Sequence, residues 1–130
     1  FGGNPVACAA GLAILDVIQE ENLLEKGLRL GSKIDILLRD MADRNDWDCL
    51  GDIRNLGCMN AFEIVHDRAS RAPAGEFTSE IVKKALSKGL ILVTAGPARN
   101  VIRILVSISA SEEIVEEGIN IIEKSIRESL

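Results

Sequence analysis

Apolar residues recur along this chain in two rhythms, one with the spacing of helices and one with the short runs of strands. The first segment is apolar almost throughout, with Val6, Ala7, Cys8, Ala9, Ala10, Leu12, Ala13, Ile14, Leu15, Val17 and Ile18. Asn4 offers a capping side chain, and Pro5 takes the first helical position, where its missing N–H costs nothing. The pattern predicts a helix running to about Glu20. Its apolar residues cover nearly the whole circumference, and such a helix must be covered on more than one side. Gly11 in its middle costs about 1 kcal/mol against Ala, which points to close approach by another backbone. The pattern therefore asks for a partner surface beyond one small domain.

Asn22, with Glu25 three residues on, has the form of a capping box. The helix it opens carries Leu24, Leu28, Ile34, Leu37, Leu38 and Met41 at helical spacing, with Lys26, Arg29, Lys33, Arg39 and Asp40 largely outward. It is expected to end near Asp43, before a polar connection over residues 44–48. Asp52 to Val65 reads as strand, with Gly57 a bulge or a point of close approach. Residues 66–76 read as a surface loop. Thr78 is expected to cap the next helix, with Phe77 stapled onto Val82 and Gly89 closing the helix in a left-handed conformation. Leu90 to Thr94 is a strand, residues 96–100 a turn, and Val101 to Val106 another strand. Ser109 or Ser111 caps a last helix bearing Ile114, Val115, Ile119, Ile122 and Ile126. This order predicts an α+β fold: a small antiparallel or mixed sheet with helices packed on one face.

Composition narrows the function. The 130 residues fit one domain, and 47% hydrophobic with 27% charged residues is an ordinary globular balance. Asp and Glu outnumber Lys and Arg by 20 to 15, net −5, which argues against nucleic-acid or anionic-membrane binding. No apolar run reaches the ~20 residues needed to span a bilayer. The first residue is Phe1 and lacks a signal peptide's basic flank; the expectation is a chain that starts inside something longer or was cut. Cys8, Cys49 and Cys58 have no CxxC spacing, and His66 is the one histidine. Neither a disulfide framework nor a zinc site is expected; the thiols read as reduced, buried and cytosolic.

Arg103 is the most informative single residue. It shares a strand face with Val101 and Leu105, while Ile102, Ile104 and Val106 point the other way, so both faces read as buried. A guanidinium in an apolar setting needs an anion, and its planar fork matches a carboxylate. That anion is a substrate carboxylate or an acidic side chain of the same fold; an exposed sheet edge is the remaining reading. Arg54, between Gly51 and Gly57, reads as a structural pairing or a second anion contact. Gly2-Gly3-Asn4 ahead of a helix offers backbone N–H groups to an anion or forms a plain cap. Lys83 and Lys84 read as solvated. No phosphate-binding loop, no GxSxG and no Ser/His/Asp set is present.

Three stretches in register carry a resemblance. They are Phe1-Gly2-Gly3-Asn4-Pro5-Val6-Ala7-Cys8-Ala9-Ala10, Gly51-Asp52-Ile53-Arg54-Asn55-Leu56-Gly57-Cys58-Met59, and Gly89-Leu90-Ile91-Leu92 followed by Asn100-Val101-Ile102-Arg103-Ile104-Leu105. Their order and spacing resemble the C-terminal part of class III, pyridoxal-phosphate-dependent aminotransferases, nearest the 4-aminobutyrate group. The resemblance covers essentially the whole chain. It implies the small C-terminal domain of a fold-type-I enzyme, with residues 1–20 as an interdomain linking helix and residues 21–130 as the domain proper. It also implies a homodimer, a large cofactor-binding domain outside this chain, and transfer of an amino group between an ω-amino acid such as 4-aminobutyrate and a 2-oxo acid such as 2-oxoglutarate.

By the same resemblance, Arg103 binds the substrate's α-carboxylate, and Phe1, Gly2 and Gly3 lie near the cofactor phosphate of the partner subunit. The family's phosphate-binding Thr would precede Phe1. None of the lysines matches the family's Schiff-base position, so no catalytic residue is assigned and the chain alone is expected to be inactive and free of cofactor. Where the family commonly has Pro after the Arg103 strand, this chain has Val106-Ser107-Ile108-Ser109, so the turn there is expected to differ. The alternative is an independent small-molecule-binding or interaction module that takes a carboxylate ligand through Arg103.

Overall fold

A computed structural model describes residues 1–130. The elements are α1 (Pro5–Glu20), α2 (Leu23–Asn45), β1 (Leu50–Leu56), β2 (Met59–Ile64), α3 (Gly75–Ser87), β3 (Val93–Ala95), β4 (Val101–Leu105) and α4 (Glu112–Arg127). The strands form one sheet in the order β1-β2-β4-β3, antiparallel at every pairing. The predicted α+β layer is therefore present, and its sheet is antiparallel throughout.

Alternation along the strands sorts the two faces. Asn60, Phe62 and Ile64 of β2 and Ile102 and Ile104 of β4 are buried. Phe62, Ile64, Ile102 and Ile104 meet Ile34, Leu38 and Met41 of α2, Ile81 of α3, and Ile119, Ile122 and Ile126 of α4 in one core. On the other face Arg54, Leu56, Met59, Arg103 and Leu105 are exposed. The expectation that both faces of the Arg103 strand are buried is corrected here: this chain puts its helices α2, α3 and α4 on one face only.

α1 begins as its sequence predicts. Asn4 Oδ1 accepts from the Ala7 amide at 2.9 Å, with Pro5 at the first helical position. No residue of α1 is buried, and α2 is the element it packs against. Nothing lies within 4 Å of a Cβ built on Gly11. Cys8, on this helix, is exposed, and Cys58 is half-buried; only Cys49 is buried as expected of all three, and burial pushes its thiol pKa up.

Several boundaries differ from the sequence reading. Asn22 adopts φ 51° and makes no side-chain cap; a capping residue needs extended backbone, and Asn22 instead turns the chain from α1 into α2. Glu25 bonds Arg29, and α2 extends to Asn45. The strand-like stretch over 52–65, with a bulge or close approach expected at Gly57, is a hairpin, with Leu56 paired to Met59. Its two-residue turn is Gly57-Cys58, Gly57 having φ 56°, which glycine supplies without strain. α3 starts three residues before Thr78, whose buried hydroxyl donates to the Ala74 carbonyl at 2.8 Å rather than capping. Leu90 to Leu92 lie outside the ladder, so β3 is short.

Other ends agree with expectation. Gly89 has φ 89°, its amide bonding the Leu86 carbonyl and the Leu90 amide bonding the Ala85 carbonyl, a Schellman closure. Ser111 caps α4, its hydroxyl accepting from the Ile114 amide. Lys33 ties α2 to α4 through Glu112 and Glu116, the latter at 2.8 Å. No helix is long and apolar enough to cross a membrane.

Candidate functional site

The helix-free face of the sheet collects the chain's candidate chemistry. Side chains directly opposite one another in a pleated sheet point the same way. Arg54 of β1 pairs with Ala61 of β2, Ala61 pairs with Arg103 of β4, and Arg103 pairs with Val93 of β3. The two arginines therefore stand on one face with a single methyl group between them. The next row toward the Gly57 turn is apolar, Leu56–Met59–Leu105, and the row on the other side is Glu63–Val101–Ala95.

The two arginines differ in how they are satisfied. Arg54 Nη1 donates to Asp52 Oδ2 at 2.9 Å and to Glu63 Oε1 at 2.7 Å. Asp52 first, and then Glu63, hold the Arg54 guanidinium above its ordinary value. The structural-pairing reading of Arg54 is thus the observed one. Arg103 makes neither a hydrogen bond nor an ion pair with any acidic side chain of the fold: the chain's ion pairs run through Lys26, Arg29, Lys33, Arg39, Arg44, Arg54, Arg68, Lys84, Lys88 and Arg127. It lies on an inner strand, so the sheet-edge reading does not apply to it. An exposed, unpaired guanidinium on a rigid strand can take a carboxylate in bidentate geometry.

Beside Arg103 a cleft of about 530 Å³ opens between the β3–β4 end of the sheet and α4, lined by Leu92, Val93, Ile104, Val106, Ile114 and other mostly apolar residues. Arg103 is its one charged lining residue. Its walls include Ile34, Ile104, Ile119 and Ile122 of the helix side of the sheet, whereas the Arg103 side chain belongs to the helix-free face.

Phe1, Gly2 and Gly3 are fully exposed, and nothing lies within 4 Å of a Cβ at either glycine. No contact within this chain brings them to the arginine face. Asn4 takes the Ala7 amide for itself and donates to the Phe1 carbonyl at 3.0 Å. The lysines are all on helices or their caps: Lys26 and Lys33 on α2, Lys83 and Lys84 on α3, Lys88 at the end of α3, Lys124 on α4. None is on a strand. Lys84 pairs with Glu80 at 3.0 Å, as a surface residue does. Ala61 and Glu63, which shape the site, were not singled out by the sequence; the hairpin register that places them depends on where the Gly57 turn falls.

Comparison with known proteins adds the following. The family model described as Aminotransferase class-III matches residues 1–126. The chain is 40% identical over 129 residues to the 4-aminobutyrate aminotransferase GabT of Escherichia coli (strain K12), covering 99% of this chain and 30% of that protein. It is 37% identical over 128 residues to the 5-aminovalerate aminotransferase DavT of Pseudomonas putida, covering 98% of this chain and 29% of that protein. Among solved structures, a Bacillus anthracis aminotransferase superposes with a TM-score of 0.86 at 28% identity, over 98% of this chain and 29% of that one.

Proposed function

This chain belongs to the class-III aminotransferase family, and we propose that it is the C-terminal small domain, with its linking helix, of a pyridoxal-phosphate-dependent aminotransferase. It spans about 30% of the length of the curated relatives it matches. In this reading residues 1–20 are the interdomain helix, residues 21–130 the small domain, and the remainder of the enzyme covers the apolar surface of α1. The complete enzyme acts as a cytoplasmic homodimer and moves an amino group between an ω-amino acid such as 4-aminobutyrate and a 2-oxo acid such as 2-oxoglutarate. The activities for which the GabT and DavT relatives are named support that substrate class.

The residues present do not by themselves make a site for the cofactor. The strand face that carries Arg103 has no lysine and no aromatic ring to stack on a pyridine. The Schiff-base lysine and the groups that hold the ring belong, in this proposal, to the large domain. Phe1, Gly2 and Gly3 border the phosphate of the partner subunit's cofactor. Pyridoxal phosphate would supply an electron sink for the carbon that bears the amino group.

What this chain contributes is binding and orientation. Arg103 holds the α-carboxylate of the amino acid, and fixing that group fixes the direction of the bond to be broken. Positioning of this kind carries several kcal/mol of a reaction barrier. The observation that carries the proposal is Arg103 itself, unpaired and exposed on the helix-free face of a chain matched from residue 1 to 126. The 130-residue chain alone does not transfer amino groups. The test is amino transfer by the complete enzyme: glutamate and 4-aminobutyrate as donors to 2-oxo acids, with Arg103→Ala losing glutamate. Full activity with glutamate in that variant overturns the assignment.

A further inference from the structure

We propose that Arg54 is a positioning residue that holds the Glu63 carboxylate away from Arg103 and so keeps Arg103 open for substrate; this rests on the reading of Arg103 as the carboxylate site. Glu63 lies on the middle strand β2, paired with Val101, and Ala61 two residues earlier pairs with Arg54 on one side and Arg103 on the other. Glu63 therefore has an arginine on each flanking strand as its diagonal neighbour on the same face. Such neighbours lie about 7–8 Å apart, within reach of long side chains. The diagonal from Glu63 to Arg103 passes between Ala61 and Val101.

Glu63 has two cations to choose from, and its carboxylate goes to one. Oε1 of Glu63 sits 2.7 Å from Arg54 Nη1, which also takes Asp52 at 2.9 Å. Arg103 is left without a partner. Were Arg54 absent, Glu63 would be the carboxylate nearest Arg103 along the strands and would compete with substrate for the same guanidinium. A site that is blocked for part of the time binds more weakly in proportion to its open fraction. A partly exposed competing ion pair of this kind weakens binding about two- to sixfold.

The experiment is steady-state kinetics of the complete enzyme with glutamate, comparing wild type with Arg54→Met, Arg54→Lys, Arg54→Met/Glu63→Gln and Arg103→Met. Arg54→Met is expected to raise KM for glutamate about two- to sixfold with kcat little changed. Removing the freed carboxylate in Arg54→Met/Glu63→Gln restores KM, and Arg54→Lys, which keeps a cation beside Glu63, rescues most of it. A merely structural role for Arg54 would not be repaired by deleting its partner. An unchanged KM in Arg54→Met, or a double variant as impaired as the single one, overturns the inference. If Arg54→Met does not fold, a KM in Arg54→Lys/Glu63→Gln above that of Arg54→Lys overturns it equally. Loss of the Arg103 reading gives a different result: Arg103→Met then leaves the KM for glutamate where it was, and this inference falls with it.

Discussion

Gly31 of α2 and Gly57 of the β1–β2 turn meet backbone to backbone. A Cβ built on Gly31 would stand 1.7 Å from the Gly57 carbonyl oxygen and 2.4 Å from its carbonyl carbon. The hairpin that carries Arg54, Ala61 and Glu63 is thus seated on α2 through two residues without side chains. Because the obstacle is backbone, a methyl group at Gly31 displaces the whole turn. Gly31→Ala is expected to destabilise by at least about 3 kcal/mol and to lower Tm by more than about 10 °C. Gly27→Ala, one turn earlier, finds only Ile108 at 3.8 Å and is expected to stabilise by about 0.5–1 kcal/mol, the ordinary helical gain of Ala over Gly. Thermal unfolding followed by circular dichroism checks both; a stable Gly31→Ala contradicts the seating.

Glu123 gives a pH-dependent link between the ends of the fold. Its carboxylate accepts from Asn45 at 3.0 Å, Arg44 at 2.8 Å and Arg127 at 3.1 Å, the last of these side chains also standing over the Trp47 ring. The Asn45 amide first, and then the two arginines, lower its pKa below the ordinary 4.5. The depressed value means that the unfolded chain takes up the proton first. The stabilisation is therefore complete above the ordinary value and is lost as pH falls through the lowered one. Urea unfolding of wild type and Glu123→Gln should show wild type more stable near neutrality, with the gap closing below pH 4.5. A gap independent of pH removes the carboxylate from the account.

The 130-residue chain by itself should associate. Leu12, Ile14 and Leu15 of α1 are 64%, 62% and 58% exposed, and contiguous apolar surface of this kind drives association. Light scattering is expected to give a mass that rises with concentration, and Leu12→Lys/Leu15→Lys to lower it. A clean monomer of the unmodified chain at high concentration contradicts the reading of α1 as a covered helix.

Much of this architecture was legible because local chemistry and packing agree. Asn4, Ser111 and Gly89 mark helix ends through their own side chain or backbone, and the spacing of Ile34, Leu38 and Met41 marks a buried stripe. Legibility failed where an interaction is not local. Asn22 and Thr78 have the right residue type for a cap but the wrong backbone: Asn22 is left-handed at the α1–α2 junction, and Thr78 already lies inside α3. Gly57-Cys58 is not a strong hairpin pair, so the pattern reads Gly57 as a bulge or close approach rather than as the turn. The most instructive case is the Arg103 strand. Val101 and Leu105 are apolar, yet they face away from the helices of this chain; hydropathy alone does not distinguish cover by one's own helices from cover by another domain. For the site, Arg103 stood out as a cation among aliphatic residues. The Arg54–Glu63 pair did not, because it exists only once the hairpin register is fixed.

The most direct test compares glutamate with 4-aminobutyrate, which differ by the α-carboxylate alone, in the wild-type complete enzyme and in Arg103→Ala. Loss of a bidentate, charge-assisted pair costs about 3 kcal/mol, roughly 100-fold in kcat/KM. A fall of that order is expected for glutamate and a much smaller one for 4-aminobutyrate. Equal falls for the two donors, or none for glutamate, would contradict it.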